Sequence, residues 1–217
     1  MPTPPYADSG EGVPVTYEVA NRVATITFAR PEAMNSLDTA TKVALLAAVR
    51  RAADDAEARA VVLTGTGRAF CVGQDLKEHA EDLAAGEASL GHTVLDHYNP
   101  TVNTLVTMSK PVIAAVNGIA AGAGAAYAMA CDLRIVADTA GFNLAFSAIG
   151  LASDTGSSWT LPRLVGWAKA RELLFFPRTV PAAEALELGL ATEVVPADTL
   201  AARAAEVAAQ LADGPTI

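Results

Sequence analysis

Two glycine-rich loops carry main-chain groups that could stabilise a negative charge. The first spans residues 65–76 and the second residues 117–126, and each lies between an apolar strand-like run and helical sequence. The first N–H groups of a helix lack partners and lie at the positive end of its dipole, so such loops can bind an anion. Together they could stabilise one developing oxyanion. Alternatively, their glycines and alanines only permit close packing of helix on strand.

Neither loop has the spacing of a dinucleotide- or phosphate-binding fingerprint. The three histidines, His79, His92 and His97, do not have the spacing of a zinc site. Cys71 follows an aromatic residue in an apolar loop and is interpreted as a buried thiol. We therefore expect chemistry without a metal or a redox cofactor.

Few carboxylates lie near the second loop. No glutamate occurs between Glu87 and Glu172, and the segment after the loop contains Asp132, Asp138 and Asp154. The first two flank a predicted strand and suit turns or caps. Asp154 precedes Thr-Gly-Ser and follows apolar sequence. It is interpreted either as a helix N-cap or as an acid/base whose pKa is raised by burial.

The elements that must position these groups alternate between strands and helices. Residues 15–19 and 23–28 alternate with period two about a short turn, which is typical of a hairpin. A helix is predicted from a cap at Ser36 or Asp38 to about Ala53. Continuous apolar runs predict strands buried on both faces at residues 60–64, 112–116 and 133–137. This order indicates an α/β fold with a largely parallel sheet.

Three further assignments complete the organisation. Residues 1–12 are interpreted as a disordered leader and residues 13–197 as the core. Residues 198–217 are interpreted as the start of a C-terminal helical region, with a helix from about Asp198 to Ala212. The polar segment 78–109 is predicted to be a helical excursion over the edge of the sheet.

Composition bounds the possible functions. The chain has 217 residues, 52% of them hydrophobic and 18% charged, with a net charge of -9. This favours one domain with a substantial core and argues against disorder and against broad nucleic-acid binding. Two cysteines make a disulfide framework improbable, and neither a signal peptide nor a membrane span is recognisable. We expect a soluble, cytoplasmic protein that binds neither nucleic acid nor membrane.

Five segments then form an ordered set: residues 30–37, 69–76, 110–124, 131–137 and 161–166. The second of them reads Ala69-Phe70-Cys71-Val72-Gly73-Gln74-Asp75-Leu76. In sequence and order these segments resemble the signatures of the crotonase (enoyl-CoA hydratase/isomerase) superfamily, and the resemblance covers residues 15–214.

The resemblance implies an α/β fold, a crotonase-like spiral of ββα units. It also implies a CoA thioester substrate, with coenzyme A as part of the substrate rather than a separate cofactor, and assembly as a homotrimer or a dimer of trimers. Family members usually carry further C-terminal helices that close the acyl pocket and help build the trimer. We expect these helices to be truncated or missing in this chain.

The resemblance also implies roles for individual residues. The backbone N–H groups of Gln74 and Ala123 correspond to the two oxyanion donors. The segment 30–37 resembles the family's CoA-contacting segment, and Arg30 and Lys77 could meet CoA phosphates or belong to a solvated face. The residues expected to bind substrate or CoA are Arg30, Ala33, Met34, Val72, Gly73, Asp75, Leu76, Lys77, Tyr98, Gly122 and Phe146.

The acid/base is assigned through a narrower resemblance. The two glutamates of the family's hydratases correspond here to Ala126 and Phe146, and neither can move a proton. Residues 146–166 and 98–100 resemble the phenylacetate-pathway ring-epoxide acyl-CoA isomerase subgroup. In that subgroup the aspartate of this loop is the acid/base, which corresponds to Asp154.

The sequence therefore favours an isomerase that shifts a proton or double bond in an enoyl-CoA or ring-epoxide acyl-CoA through an enolate. One carboxylate is sufficient for this reaction. An enoyl-CoA hydratase and a non-catalytic CoA-binding scaffold of the same fold are alternatives. A related dehalogenase reaction is less favoured, because its histidine base corresponds to Asn99.

Overall fold

The computed structural model describes residues 12–85 and 90–215, so the predicted leader lies almost entirely outside the described residues. The strands are β1 (Val15–Ala20), β2 (Val23–Phe28), β3 (Ala60–Gly65), β4 (Ala69–Cys71), β5 (Val112–Val116), β6 (Ile119–Ala121), β7 (Leu133–Ala137), β8 (Gly141–Asn143), β9 (Thr179–Pro181) and β10 (Glu193–Val195). The helices are α1 (Thr39–Asp54), α2 (Leu76–Ala85), α3 (Leu90–Thr93), α4 (Asn99–Thr107), α5 (Ala123–Ala130), α6 (Ser157–Val165), α7 (Trp167–Phe175), α8 (Ala182–Leu188) and α9 (Leu200–Asp213).

The larger sheet confirms the predicted hairpin and the three predicted buried strands. Its order is β1-β2-β3-β5-β7-β10; β1 and β2 are antiparallel and the following pairs are parallel. Every residue of β5 is buried, as expected for a strand covered on both faces. The helix α9 packs against β2, β3, β5 and β7.

The smaller sheet has the order β4-β6-β8-β9, in which the first three strands are parallel. Each of its first three strands follows a strand of the larger sheet along the chain, and a helix comes next. This repetition confirms the spiral of ββα units. Because parallel strands end at the same edge of a sheet, the segments that follow β4, β6 and β8 leave from one edge.

Helix α1 begins where the sequence predicts. Asp38 is its N-cap, and the Asp38 side chain accepts a hydrogen bond of 2.8 Å from the N–H of Thr41. This satisfies one of the partnerless donors of the first turn. The predicted final helix is also present, as α9.

The described parts of the polar segment 78–109 are largely helical, as expected, but the position of its last helix differs from the prediction. A π-helical turn, Val94–Tyr98, leads directly into α4, and α4 packs mainly against the helices α1 and α5 rather than over a sheet edge. The buried side chains of α4 require an apolar partner, and the neighbouring helices supply it. In the parts of the chain that the structure describes, no helix has both the length and the apolar character needed to traverse a bilayer.

Candidate active site

A pocket of about 150 Å³ lies at the edge where β4, β6 and β8 end. Each of these strands is followed by residues that line it. The lining residues are Val72, Gln74, Leu76, Val94, Tyr98, Gly122, Ala123, Ala145, Phe146, Ala148, Ile149, Leu151 and Asp154. The three residues expected to carry the chemistry, Gln74, Ala123 and Asp154, are therefore brought together from distant parts of the sequence.

The two glycine loops are in direct contact. A β-carbon on Gly73 would lie 2.9 Å from the carbonyl oxygen of Ala121 and 3.2 Å from the nitrogen of Ala123. Gly73 also has a φ of +84°, which favours glycine. A β-carbon on Gly124 would overlap the carbonyl of Cys71. Glycine is thus required at both positions for the loops to approach each other.

The N–H groups of Gln74 and Ala123 have no hydrogen-bond acceptor among the described residues. Ala123 is the first residue of α5, so its N–H has no acceptor within the helix. Leu37 and Gln74 form an isolated β-bridge. In this bridge the N–H of Leu37 donates to the carbonyl of Gly73 and the N–H of Asp75 donates to the carbonyl of Leu37, so the N–H of Gln74 is not used. Among the described residues, neither N–H donates to another protein group. The pocket therefore has two unused main-chain donors of the kind that stabilise an oxyanion.

Asp154 is half-buried and lies in the pocket lining. Burial raises the pKa of this carboxyl, while a hydrogen bond of 2.7 Å from the hydroxyl of Thr155 opposes the increase. The alternative interpretation as a helix N-cap is not supported. The N-cap of α6 is Gly156, and the N–H of Ser157 donates to the backbone carbonyl of Asp154, not to its side chain.

The two hydratase glutamate positions hold no carboxylate in this pocket. Phe146 lines it with an aromatic ring. Ala126 is 0% exposed on α5 and is not a lining residue. Among the described lining residues, Asp154 is the one side chain that can be a carboxylate base.

The side chain of Tyr98 contacts Gln74 in the first glycine-rich loop. Its hydroxyl donates a hydrogen bond of 2.5 Å to Oε1 of Gln74, and its ring packs edge-to-face on Tyr127 with the centroids 6.2 Å apart. Burial, reinforced by the neighbouring Tyr127 and other groups, raises the pKa of Tyr98, so the hydroxyl keeps its proton and acts as a donor.

Lys42 also contacts Gln74, and the sequence analysis did not single it out. It lies on α1, far from both loops in sequence, yet its side chain is only 3% exposed. Lys42 occupies a position on the buried face of α1, and this could have been recognised from the helical pattern of the sequence. Lysine is almost never fully buried unless it is paired, so such a position indicates a specific partner.

The expected CoA-contacting residues divide into two groups. Val72, Leu76, Tyr98, Gly122 and Phe146 line the pocket, whereas Arg30, Ala33, Met34, Gly73, Asp75 and Lys77 do not. Lys77 is exposed beside the pocket at the start of α2.

Arg30 is already paired inside the protein. Its guanidinium forms ion pairs of 3.0 Å with Asp38 and 3.3 Å with Asp75, and it also donates to the carbonyl of Ser36. Two carboxylates compensate this charge, so the geometry gives Arg30 a structural role and does not place it as a free phosphate ligand.

Asp75 has a structural role as well. Burial alone would raise its pKa, but hydrogen bonds from Ser36, from the N–H groups of Glu78 and Lys77 and from Arg30 lower it overall. The carboxylate therefore stays ionised and fixes the start of α2 to the segment around Arg30.

The interpretation of Cys71 as a buried thiol is confirmed: it is 0% exposed, and burial raises its pKa to about 12.

The chain is similar to proteins that act on CoA thioesters. The family model described as enoyl-CoA hydratase/isomerase matches residues 18–217. A Rhodobacter capsulatus protein described as a probable enoyl-CoA hydratase is 45% identical over 202 residues, which cover 93% of this chain and 76% of that protein. The 1,2-epoxyphenylacetyl-CoA isomerase of Escherichia coli is 41% identical over 198 residues, which cover 91% and 76%. A crystal structure from Mycobacterium abscessus, described as an enoyl-CoA hydratase/isomerase, superposes with a TM-score of 0.90 at 43% identity and covers 93% of this chain and 78% of that one.

Proposed function

Because this chain belongs to the enoyl-CoA hydratase/isomerase family, we propose that it is an acyl-CoA isomerase that moves a proton along the acyl group of a CoA thioester. One observation carries this proposal: among the described residues that line the pocket, Asp154 is the single carboxylate, and it shares the pocket with both amide loops. A family site with two main-chain donors and one carboxylate can perform a proton shift. Efficient addition of water ordinarily uses a base and a separate acid.

The reaction begins with the thioester carbonyl oxygen at the N–H groups of Gln74 and Ala123. The ionised carboxylate of Asp154 removes a proton from an acidified carbon of the acyl group, and the electron pair moves into the thioester to form an enolate. The two N–H groups stabilise the charge that develops on the oxygen. Asp154 then returns the proton to a different carbon as the enolate collapses, which regenerates the carboxylate. With a ring epoxide, collapse of the enolate forms a carbon–carbon double bond and breaks the adjacent C–O bond, and Asp154 gives its proton to the released alkoxide oxygen.

The half-buried position of Asp154 suits both steps. Desolvation raises its pKa, which brings the carboxylic acid closer to the operating pH and makes the carboxylate a stronger base. The apolar lining around it, including Phe146, Ile149 and Leu151, limits the water that could compete for the enolate.

Hydration is the second candidate, since the Rhodobacter capsulatus relative is described as a probable hydratase. It would require Asp154 to activate water with no second carboxylate in the described lining. The Escherichia coli relative, a 1,2-epoxyphenylacetyl-CoA isomerase, supports the isomerase alternative and suggests a ring-epoxide thioester as one test substrate.

The deciding experiment uses the full chain with several enoyl-CoA thioesters and one ring-epoxide acyl-CoA in D₂O. Product position, deuterium incorporation and 3-hydroxyacyl product are followed together by mass spectrometry. Isomerised, deuterated product without hydration is the expected result. Substantial 3-hydroxyacyl product identifies a hydratase. Binding of the thioesters with neither deuterium incorporation nor product identifies a non-catalytic CoA-binding protein.

A further inference from the structure

A buried lysine lies behind the first oxyanion loop. The ammonium of Lys42 is 3.6 Å from a carboxylate oxygen of Glu78 on α2, 3.3 Å from the hydroxyl oxygen of Thr93 and 3.5 Å from Oε1 of Gln74. Removing an ammonium from water is costly unless charge and hydrogen bonds compensate it. The contacts with Glu78, Thr93 and Gln74 provide this compensation, and they connect α1 to the loop that carries one of the donors.

The side chain of Gln74 is bound from two directions. Its Oε1 accepts hydrogen bonds from the hydroxyl of Tyr98 at 2.5 Å and from the ammonium of Lys42 at 3.5 Å. Tyr98 lies in the turn Val94–Tyr98 and Lys42 lies on α1, so the two bonds come from different elements of the fold. The carboxamide has little freedom to rotate while both are present.

The charge of Lys42 is also felt by the neighbouring histidine. Burial lowers the pKa of His97, and the ammonium of Lys42 lowers it further. The Nδ1 atom of His97 is buried and has no hydrogen-bond partner among the residues that the structure describes. Burial and the neighbouring Lys42 therefore both favour the neutral form of the His97 imidazole, while Asp96 opposes them.

We propose that Lys42 is a positioning residue for the reaction: acting with Tyr98 through the side chain of Gln74, it holds the Gln74 N–H in the orientation that receives the enolate oxygen. The main-chain donor itself cannot be removed by changing the side chain of Gln74, but its direction depends on the φ and ψ angles of that residue. Oxyanion donors act through their preorganisation, and a displacement of about 1 Å can cost on the order of 10²-fold in rate. This inference rests on the proposed function, because it assigns Gln74 as a donor.

The test compares Lys42→Met, which keeps the length of the side chain without its charge, with Gln74→Met, which removes the shared acceptor. Lys110→Met is the matched control. Lys110 donates to the carbonyls of Ala52 and Asp55 at the other end of α1, so its loss perturbs the same helix without touching Gln74. Lys42→Arg keeps the charge and the donors and serves as the rescue variant.

Both test variants are expected to lower kcat by roughly 10–10²-fold with little change in KM. A misplaced donor loses more stabilisation of the transition state than of the bound thioester. Lys42→Arg is expected to lose less, and Lys110→Met to keep the wild-type kcat. A second readout, hydrogen exchange at the backbone N–H of Gln74 by NMR, needs no turnover and is expected to be faster in Lys42→Met and Gln74→Met only.

The outcomes separate this inference from the proposed function. Wild-type kcat together with unchanged exchange at Gln74 in both test variants would overturn it, as would equal losses in the Lys110→Met control. If the wild-type protein does not isomerise any thioester, the proposed function fails, and the exchange of the Gln74 N–H alone then decides whether Lys42 positions it. Where Lys42→Met does not fold, Gln74→Met gives the same comparison from the other end of the contact.

Discussion

Gly124 lies directly against the carbonyl of Cys71, so that a β-carbon at residue 124 would overlap the carbonyl oxygen. Gly124 is in the first turn of α5, one residue after Ala123, and Cys71 ends β4 three residues before Gln74. The contact between Gly124 and Cys71 therefore limits how closely the segments that contain Gln74 and Ala123 approach each other.

The replacement Gly124→Ala is expected to destabilise the protein by roughly 1–3 kcal/mol or more, because the added carbon meets backbone that cannot rotate away. Urea denaturation measures the loss. Gly214→Ala is the comparison: its φ is -72°, and an added β-carbon would lie 3.4 Å from the carbonyl oxygen of Leu211, an ordinary contact. A loss at residue 124 no larger than the loss at residue 214 would show that the contact with Cys71 has no steric consequence.

Asp154→Asn is expected to abolish solvent deuterium incorporation into the acyl group while leaving thioester binding nearly intact. The amide is similar in size to the carboxyl but cannot accept a proton at neutral pH. Mass spectrometry and calorimetric titration measure the two properties. Asp138→Asn is the control, since the Asp138 side chain accepts a hydrogen bond from the N–H of Ala197 and does not line the pocket. Exchange that survives in Asp154→Asn would rule out the one-base mechanism.

The raised pKa of Asp154 also predicts a pH-dependent difference in stability. The folded protein binds this proton more tightly than the unfolded chain, so ionisation of Asp154 costs stability as pH rises through the interval between the two pKa values. Asp154→Asn should therefore be more stable than wild type at pH 7. The difference should shrink as pH falls through the raised pKa and vanish below the unfolded value of about 3.9. Urea denaturation at several pH values measures this difference in the free energy of unfolding. A difference that does not change with pH would contradict a raised pKa at Asp154.

Ala123→Pro is expected to lower kcat by about 10²–10³-fold, because it removes one donor N–H from the oxyanion site. The replacement suits the local structure, since Ala123 is the first residue of α5 and proline is tolerated there. Circular dichroism checks that the variant folds. Unchanged turnover in a folded Ala123→Pro protein would refute the donor role of this N–H.

Ala126→Glu is not expected to create a hydratase. Ala126 is fully buried on α5 and does not line the pocket, so the new carboxylate would be buried without a partner. The second glutamate position would still hold Phe146. The expected result is a protein of lower stability with no 3-hydroxyacyl product, and efficient hydration by this variant would contradict it.

Much of the fold could be predicted from local sequence. The alternating residues of β1 and β2, the apolar runs of β3, β5 and β7 and the cap at Asp38 are signals contained within a few residues. The short strands of the smaller sheet have three residues each, which is too short for a periodic pattern. They were implied only by the resemblance to a known family.

The candidate site was predicted less completely. Gln74, Ala123 and Asp154 were identified through motifs, and the structure brings them to one pocket. The pairing of Arg30 with Asp75 was not foreseen, because it joins residues that only the fold brings together. The contact of Lys42 with Gln74 was missed for the same reason: no periodicity relates a residue on α1 to a loop after β4.

The parallel strands β4, β6 and β8 have a further consequence. Gln74, Ala123 and Asp154 lie after these three neighbouring strands, and adjacent strands are about 4.8 Å apart in any sheet. The backbone hydrogen bonds of the small sheet thus fix the spacing between the strand ends from which these segments leave. Connections elsewhere in the spiral can lengthen or shorten without changing that spacing. Gln74 and Ala123 follow β4 and β6 within three residues, whereas Asp154 follows β8 on a longer segment that can change independently of them.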